Sequence, residues 1–122
     1  MTQKTLSAGL LGALLMIAWP LAASAHTHME KSVPADKAAL ATAPQSVQLW
    51  FSDKVAAEWS KIVVTDSAGN RVDQEQVSAD AADPKHIEAG LKALGPGDYT
   101  VDWNVISGDG HRVKGSFTFS VQ

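Results

Sequence analysis

From Asp98 to Ile106, Tyr99, Val101, Trp103 and Val105 fall on every second residue. From Arg112 to Val121, Phe117, Phe119 and Val121 do the same against Ser116, Thr118 and Ser120. A helix would scatter these side chains around its circumference. Period-two alternation gathers them on one face of an extended chain, so both runs read as strands with one buried side. Only Ser107-Gly108-Asp109-Gly110-His111 lies between them. A connection that short joins antiparallel neighbours, which predicts a hairpin with Asp109 and His111 at its tip.

The rest of the chain follows the same logic. Ser46 to Phe51 alternates, with Val47, Leu49 and Phe51 on one face and Trp50 among polar residues on the other. Trp50 is expected to cover a sheet edge or the second sheet. Ile62-Val63-Val64-Thr65 is a β-branched run inside a strand from Lys61 to Asp66. Ser67-Ala68-Gly69-Asn70 then signals a turn, with Arg71-Val72-Asp73 as a candidate return strand. His28 to Val33 reads as a first strand running into Pro34, and Ala38-Ala39-Leu40 as one helical turn. Ser78 to Lys85 is polar, contains a proline and reads as a loop, followed by a short strand from His86 to Leu91. Several short strands, turn signals between them and no long helix predict an all-β fold, an antiparallel β-sandwich.

The N-terminus is of a different character. Lys4 precedes an apolar run from Gly9 to Trp19, Pro20 ends it, and Ala23-Ser24-Ala25 supplies small residues at the −3 and −1 positions of a cleavage site. This is the secretory pattern, and 11 apolar residues are too few for a membrane span, which needs about 20. Residues 1–25 are therefore expected to be a signal peptide and 26–122 the mature domain, with no membrane span after cleavage. Losing Lys4 leaves 9 basic against 13 acidic residues, a net charge of −4. An acidic chain without a basic run argues against nucleic acid as a partner. No cysteine is present, which excludes disulfides, thiolate zinc sites and thiol nucleophiles.

Cleavage after Ala25 gives His26 a free amine beside its imidazole. The amine and Nδ1 of one residue close a six-membered ring on a metal, two donors for the ordering of one side chain. His111 can add a third nitrogen and Asp109 an oxygen. Their i, i+2 spacing puts both on one face of an extended backbone, and Gly110 lets the turn adapt. Three nitrogens and one oxygen without sulfur suit Cu(II). A second mode competes for the same amine. His28 is third in the mature chain, and an amine, two deprotonated backbone amides and a third-position histidine can hold copper in a plane. Met29 is the only methionine of the mature chain, so no Cu(I) site is expected.

Other polar and aromatic residues carry less. His86 reads as a solvated strand histidine, Trp59 and Trp103 as core or sheet-covering residues. Asp53, Asp66, Asp73, Asp80 and Asp83 are scattered among turns without a paired acid–base arrangement. No phosphate-binding glycine loop and no serine nucleophile context is present.

The chain resembles the CopC family of periplasmic copper-resistance proteins. The matching features are the Ala-x-Ala-His start, Ser32-Val33-Pro34-Ala35, Leu49-Trp50-Phe51-Ser52 and Leu94-Gly95-Pro96-Gly97-Asp98-Tyr99-Thr100-Val101-Asp102-Trp103. They continue through Val105-Ile106-Ser107-Gly108-Asp109-Gly110-His111 and Gly115-Ser116-Phe117-Thr118-Phe119. The resemblance implies a Greek-key sandwich or barrel, cupredoxin- or Ig-like, of seven or more strands. It also implies Cu(II) on His26, Asp109 and His111, and copper handling beside an inner-membrane transporter of the CopD type. Some family members carry a Met-rich Cu(I) loop, which Ser52 to Asp83 lacks here.

The expected function is that of a periplasmic, monomeric protein taking one Cu(II) per mature chain, a copper chaperone or buffer in resistance and homeostasis, and not an enzyme. The enzymatic alternative is a copper oxidase or monooxygenase with an N-terminal histidine brace, as in the lytic polysaccharide monooxygenases; Asp109 would fill a position that oxygen chemistry needs open. A metal-free adhesion or interaction module is the third possibility.

Overall fold

A computed structural model describes residues 26–122, together with Gly9 and Gly12; the expected signal sequence and its cleavage site otherwise lie outside the described residues. Eight strands run in chain order: β1 (Met29–Val33), β2 (Ala38–Leu40), β3 (Ser46–Phe51), β4 (Lys61–Asp66), β5 (Asp73–Asp80), β6 (Asp83–Leu91), β7 (Gly97–Ile106) and β8 (Arg112–Val121). A 3₁₀ turn at Ala57–Trp59 precedes β4. The strands form two four-stranded sheets, ordered β1-β3-β6-β5 and β2-β8-β7-β4. The chain passes between sheets after β1, β2, β3, β4 and β6, and stays within a sheet only at the β5–β6 and β7–β8 hairpins. That connectivity makes a Greek-key sandwich.

The alternating faces meet in the middle. Val47, Leu49 and Phe51 of β3 and Ile87, Ala89 and Leu91 of β6 are buried against Ile62 and Val64 of β4, Tyr99, Val101, Trp103 and Val105 of β7, and Phe117, Phe119 and Val121 of β8. Phe51 meets Trp103 edge-on across the interface at 5.2 Å and 72°. Fully burying an aliphatic or aromatic side chain of this size stabilises by about 1.5–3 kcal/mol, so the pairing of apolar faces dictates the two-layer form. The β7–β8 hairpin has unbroken register from Gly97↔Val121 to Ile106↔Arg112, as its alternation requires.

Several local expectations are corrected. Ala38–Leu40 is a strand, not a helical turn, and it runs parallel to Phe119–Val121. The Lys37 N–H donates to Thr118 O at 2.6 Å and the Gln122 N–H to Leu40 O at 2.9 Å, ladder bonds that a helical turn of three residues cannot match. Ser78 to Lys85 is a hairpin rather than a loop: Asp80 pairs with Asp83, and Asp80 Oδ1 caps the Ala82 N–H at 2.9 Å. β5 is an edge strand with most side chains exposed, so it needs no apolar face and shows none. The return after Ser67-Asn70 is a single bridge, Thr65↔Arg71, before the chain leaves for the other sheet as β5. Trp59 is not a core residue; it is 69% exposed on the 3₁₀ turn. Trp103 is in the core, as its position on the apolar face demands.

His86 is not solvated. Its ring stacks on Trp50 at 4.1 Å and 6°, with Nδ1 3.0 Å from Asp80 Oδ2 and Nε2 3.1 Å from Gln48 Oε1. Lys31 Nζ lies 4.6 Å from the Trp50 ring. Lys31, Trp50 and His86 are direct cross-strand neighbours, so they form one rung across β1, β3 and β6. The rung explains the tryptophan on a polar face.

Candidate metal centre

The tip of the β7–β8 hairpin is built around a buried hydroxyl. Ser107 is 3% exposed, and its Oγ–H donates to Asp109 Oδ1. Its N–H donates to His111 O at 2.9 Å, and its carbonyl accepts from the Gly110 N–H at 2.9 Å. Gly110 has φ of +85°, a conformation that a side chain disfavours, and this closes the turn. Asp109 Oδ1 also accepts the His111 N–H at 3.2 Å, and Oδ2 lies 3.0 Å from His111 Nδ1. A carboxylate can only accept, so Nδ1 carries the proton and the lone pair of a neutral His111 sits on Nε2.

A carboxylate offers about four lone-pair positions. Three are engaged, and one on Oδ2 remains for a cation. The Ser107 hydroxyl and then the His111 contacts hold the Asp109 carboxyl well below the ordinary carboxylate range. Asp109 therefore stays anionic wherever an imidazole is neutral. Both side chains are open to solvent, so a metal ion can reach them.

The N-terminal arm forms a second half. His26 and His28 are exposed while Thr27, between them, is 5% exposed, so the arm lies on the domain rather than projecting from it. The His28 N–H donates to Ser52 Oγ at 3.0 Å, and the Ser52 N–H donates to His28 O at 2.9 Å. His28 Nδ1 lies 3.3 Å from His26 O. From that clamp to residue 26 is two residues, a reach of at most about 7 Å.

The segment from Ser52 to Ala56 joins the halves. Ser52 holds the arm; Lys54 O accepts the Gly108 N–H at 2.8 Å, Val55 bridges Ser107, and the Ala56 N–H donates to Ile106 O at 2.9 Å. Five consecutive residues thus hold the N-terminal arm and the Asp109–His111 tip at one end of the sandwich. Asp53 is the carboxylate carried by this segment, its Oδ1 2.8 Å from the Lys54 N. Sequence reasoning left it among the turn carboxylates, and nothing in its spacing to His26 or His111 singles it out.

Asp109 and His111 are brought together, and His26 and His28 are brought together. Among the described residues no group of three or more His, Cys, Asp or Glu side chains converges as a metal cage. In this chain His26 N is still an amide, bonded to Ala25, so one of the expected donors does not yet exist. The donor chemistry fits Cu(II): two imidazoles, an anionic oxygen and a latent amine, all hard-to-borderline ligands without sulfur. Ser107 and Ser52 are the site residues that sequence reasoning missed as such. Both are hydroxyls at strand ends, where periodicity carries no signal.

The CopC domain family matches residues 29–122 of this chain. The chain is 37% identical over 99 residues to protein YobA of Escherichia coli (strain K12), covering 80% of each. It is 32% identical over 115 residues to copper resistance protein C of Escherichia coli, covering 88% of this chain and 90% of that one. The crystal structure of CopC from Methylosinus trichosporium OB3b superposes with a TM-score of 0.75 at 32% identity, over 80% of this chain and 94% of that one.

Proposed function

The chain belongs to the CopC family, and from that premise we propose that it is a periplasmic Cu(II)-binding protein that buffers or delivers copper rather than an enzyme. Copper is cargo here, one ion per processed chain. Export releases His26 from Ala25, and the new amine chelates together with His26 Nδ1. His111 supplies one imidazole nitrogen and Asp109 one carboxylate oxygen; because Nδ1–H and the Nε2 lone pair point away from each other across the ring, the 3.0 Å contact between His111 Nδ1 and Asp109 Oδ2 opens when both residues take one ion. The handover partner is an inner-membrane transporter of the CopD type, and the protein works as a monomer. No helix among the described residues is long and apolar enough to cross a membrane.

The observation that carries this is the Ser52–Ala56 segment. It hydrogen-bonds the arm bearing His26 and the tip bearing Asp109 and His111, so that two parts of the chain more than 80 residues apart in sequence share one end of the fold. The same end of the fold carries the exposed His111 and Asp109 side chains and the exposed His26, which is the donor set this reading needs.

Copper titration of the processed protein tests this. His26→Ala and His111→Ala should each weaken binding by more than the roughly 10–100-fold that loss of an outer partner costs, and His86→Ala should leave it unchanged. Affinity should fall as the pH drops from 8 to 5, because an imidazole or an amine must give up its proton to bind a metal. Affinity constant from pH 8 to pH 5, or a loss confined to His28→Ala, contradicts the ligand set.

A further inference from the structure

Two copper modes compete for the same amine, and they make opposite demands on His28. The mode argued above leaves the His28 backbone intact. The planar mode needs the amide nitrogens of Thr27 and His28, each giving up its proton to solvent as the metal replaces it, and His28 Nδ1 as the fourth donor. In the structure both of the His28 atoms that this plane would use are engaged. The His28 N–H donates to Ser52 Oγ at 3.0 Å, and His28 Nδ1 lies against His26 O at 3.3 Å. Thr27, whose amide the plane would also need, is 5% exposed.

Resting on the copper reading, we propose that Ser52 is a specificity-determining residue: its hydroxyl holds the His28 amide proton and so steers copper away from the third-position histidine mode and toward His26, Asp109 and His111. The backbone bond from Ser52 N–H to His28 O, 2.9 Å, fixes the register of the arm but does not discriminate between modes. Only the side-chain oxygen occupies a nitrogen that the plane needs. Ser52 sits directly after β3, on the segment that also holds the Asp109–His111 tip. One residue thus closes the wrong site and keeps the amine within reach of the right one.

Removing a neutral hydrogen bond shifts the balance between the modes by about fivefold, the equivalent of ~1 kcal/mol. The probe is Cu(II) itself, at one equivalent, read by electron paramagnetic resonance on processed protein from the periplasm. Wild type should give one species with three nitrogens and one oxygen that is lost in His111→Ala. Ser52→Ala should add a four-nitrogen planar species, about fivefold enriched over wild type. That species should vanish in Ser52→Ala/His28→Ala, and Ser52→Thr, which keeps the hydroxyl, should match wild type.

If Ser52→Ala matches wild type while the signal still depends on His111, the selector falls and the copper site stands. If wild type already shows the four-nitrogen species and loses it in His28→Ala, both fall. Should Ser52→Ala fail to fold, amide exchange of His28 in copper-free wild type decides. Protection of tenfold or more over an open peptide supports the clamp, and exchange at the open-peptide rate overturns it.

Discussion

Asp73 has no exposed surface, yet it carries a charge. Its Oδ1 accepts the Val64 N–H at 2.9 Å and the Arg71 Nε–H at 2.9 Å, and Oδ2 accepts the Glu75 N–H at 3.0 Å. Burial alone would raise its pKa; the Arg71 guanidinium and the two backbone donors together outweigh it and hold the carboxyl below its ordinary range. A lowered native pKa means stability that is fully present above the unfolded value of about 3.9 and is lost as the pH falls below it toward the native value. Asp73→Ala leaves two backbone donors without an acceptor and should cost about 2–4 kcal/mol in urea unfolding at pH 7. Asp73→Asn should flatten the loss of stability below pH 4. An unchanged urea midpoint would show that Asp73 does not tie β4 to β5. Sequence reasoning could not find this residue, because a carboxylate between Val72 and Gln74 looks like any turn aspartate. His26 and the Asp109-x-His111 pair are candidates from sequence for the opposite reason: a cleavage motif and a fixed spacing single them out without any tertiary knowledge.

The β7–β8 hairpin shows how far a strand pattern determines packing. Gly115 lies opposite Trp103 in the ladder. A Cβ at Gly115 would stand 2.4 Å from Trp103 Cζ2 and 2.7 Å from Cε2, inside contact distance of a ring already held edge-on by Phe51. Gly115→Ala should therefore destabilise the fold by about 1–3 kcal/mol, as overpacking does; an unaltered urea midpoint would mean the indole has room to retreat. Alternation made β3, β7 and β8 readable, since each has one face in the core, and a β-branched run marked β4. β5 and β2 were not readable, because an edge strand with exposed side chains and a three-residue strand carry no apolar period. The polar rung of Lys31, Trp50, His86 and Asp80 escaped for the same reason: it exists only once β1, β3, β6 and β5 lie side by side.

Taken as one body, the molecule is an acidic sandwich with the arm of His26 and His28, the Ser52–Ala56 segment and the β7–β8 tip at one end, the end we propose for copper. The family match and the two-sheet architecture were both implied by motifs spread along the mature sequence, and both are found. What motifs could not supply is the joint between the two halves of the site, because hydrogen bonds from Ser52 and Lys54 connect residues that no local pattern relates. On the proposed ligand set export is part of the chemistry, since an internal His26 has an amide where that set needs an amine. Protein recovered from the periplasm can be weighed to establish its first residue and titrated with Cu(II) in the same preparation, beside a variant carrying one alanine inserted between Ala25 and His26. Wild type should begin at His26 and bind one equivalent with three nitrogens and one oxygen, and the variant, beginning at the inserted alanine, should bind far more weakly. Equal affinity from a chain that starts anywhere other than His26 would contradict the copper site.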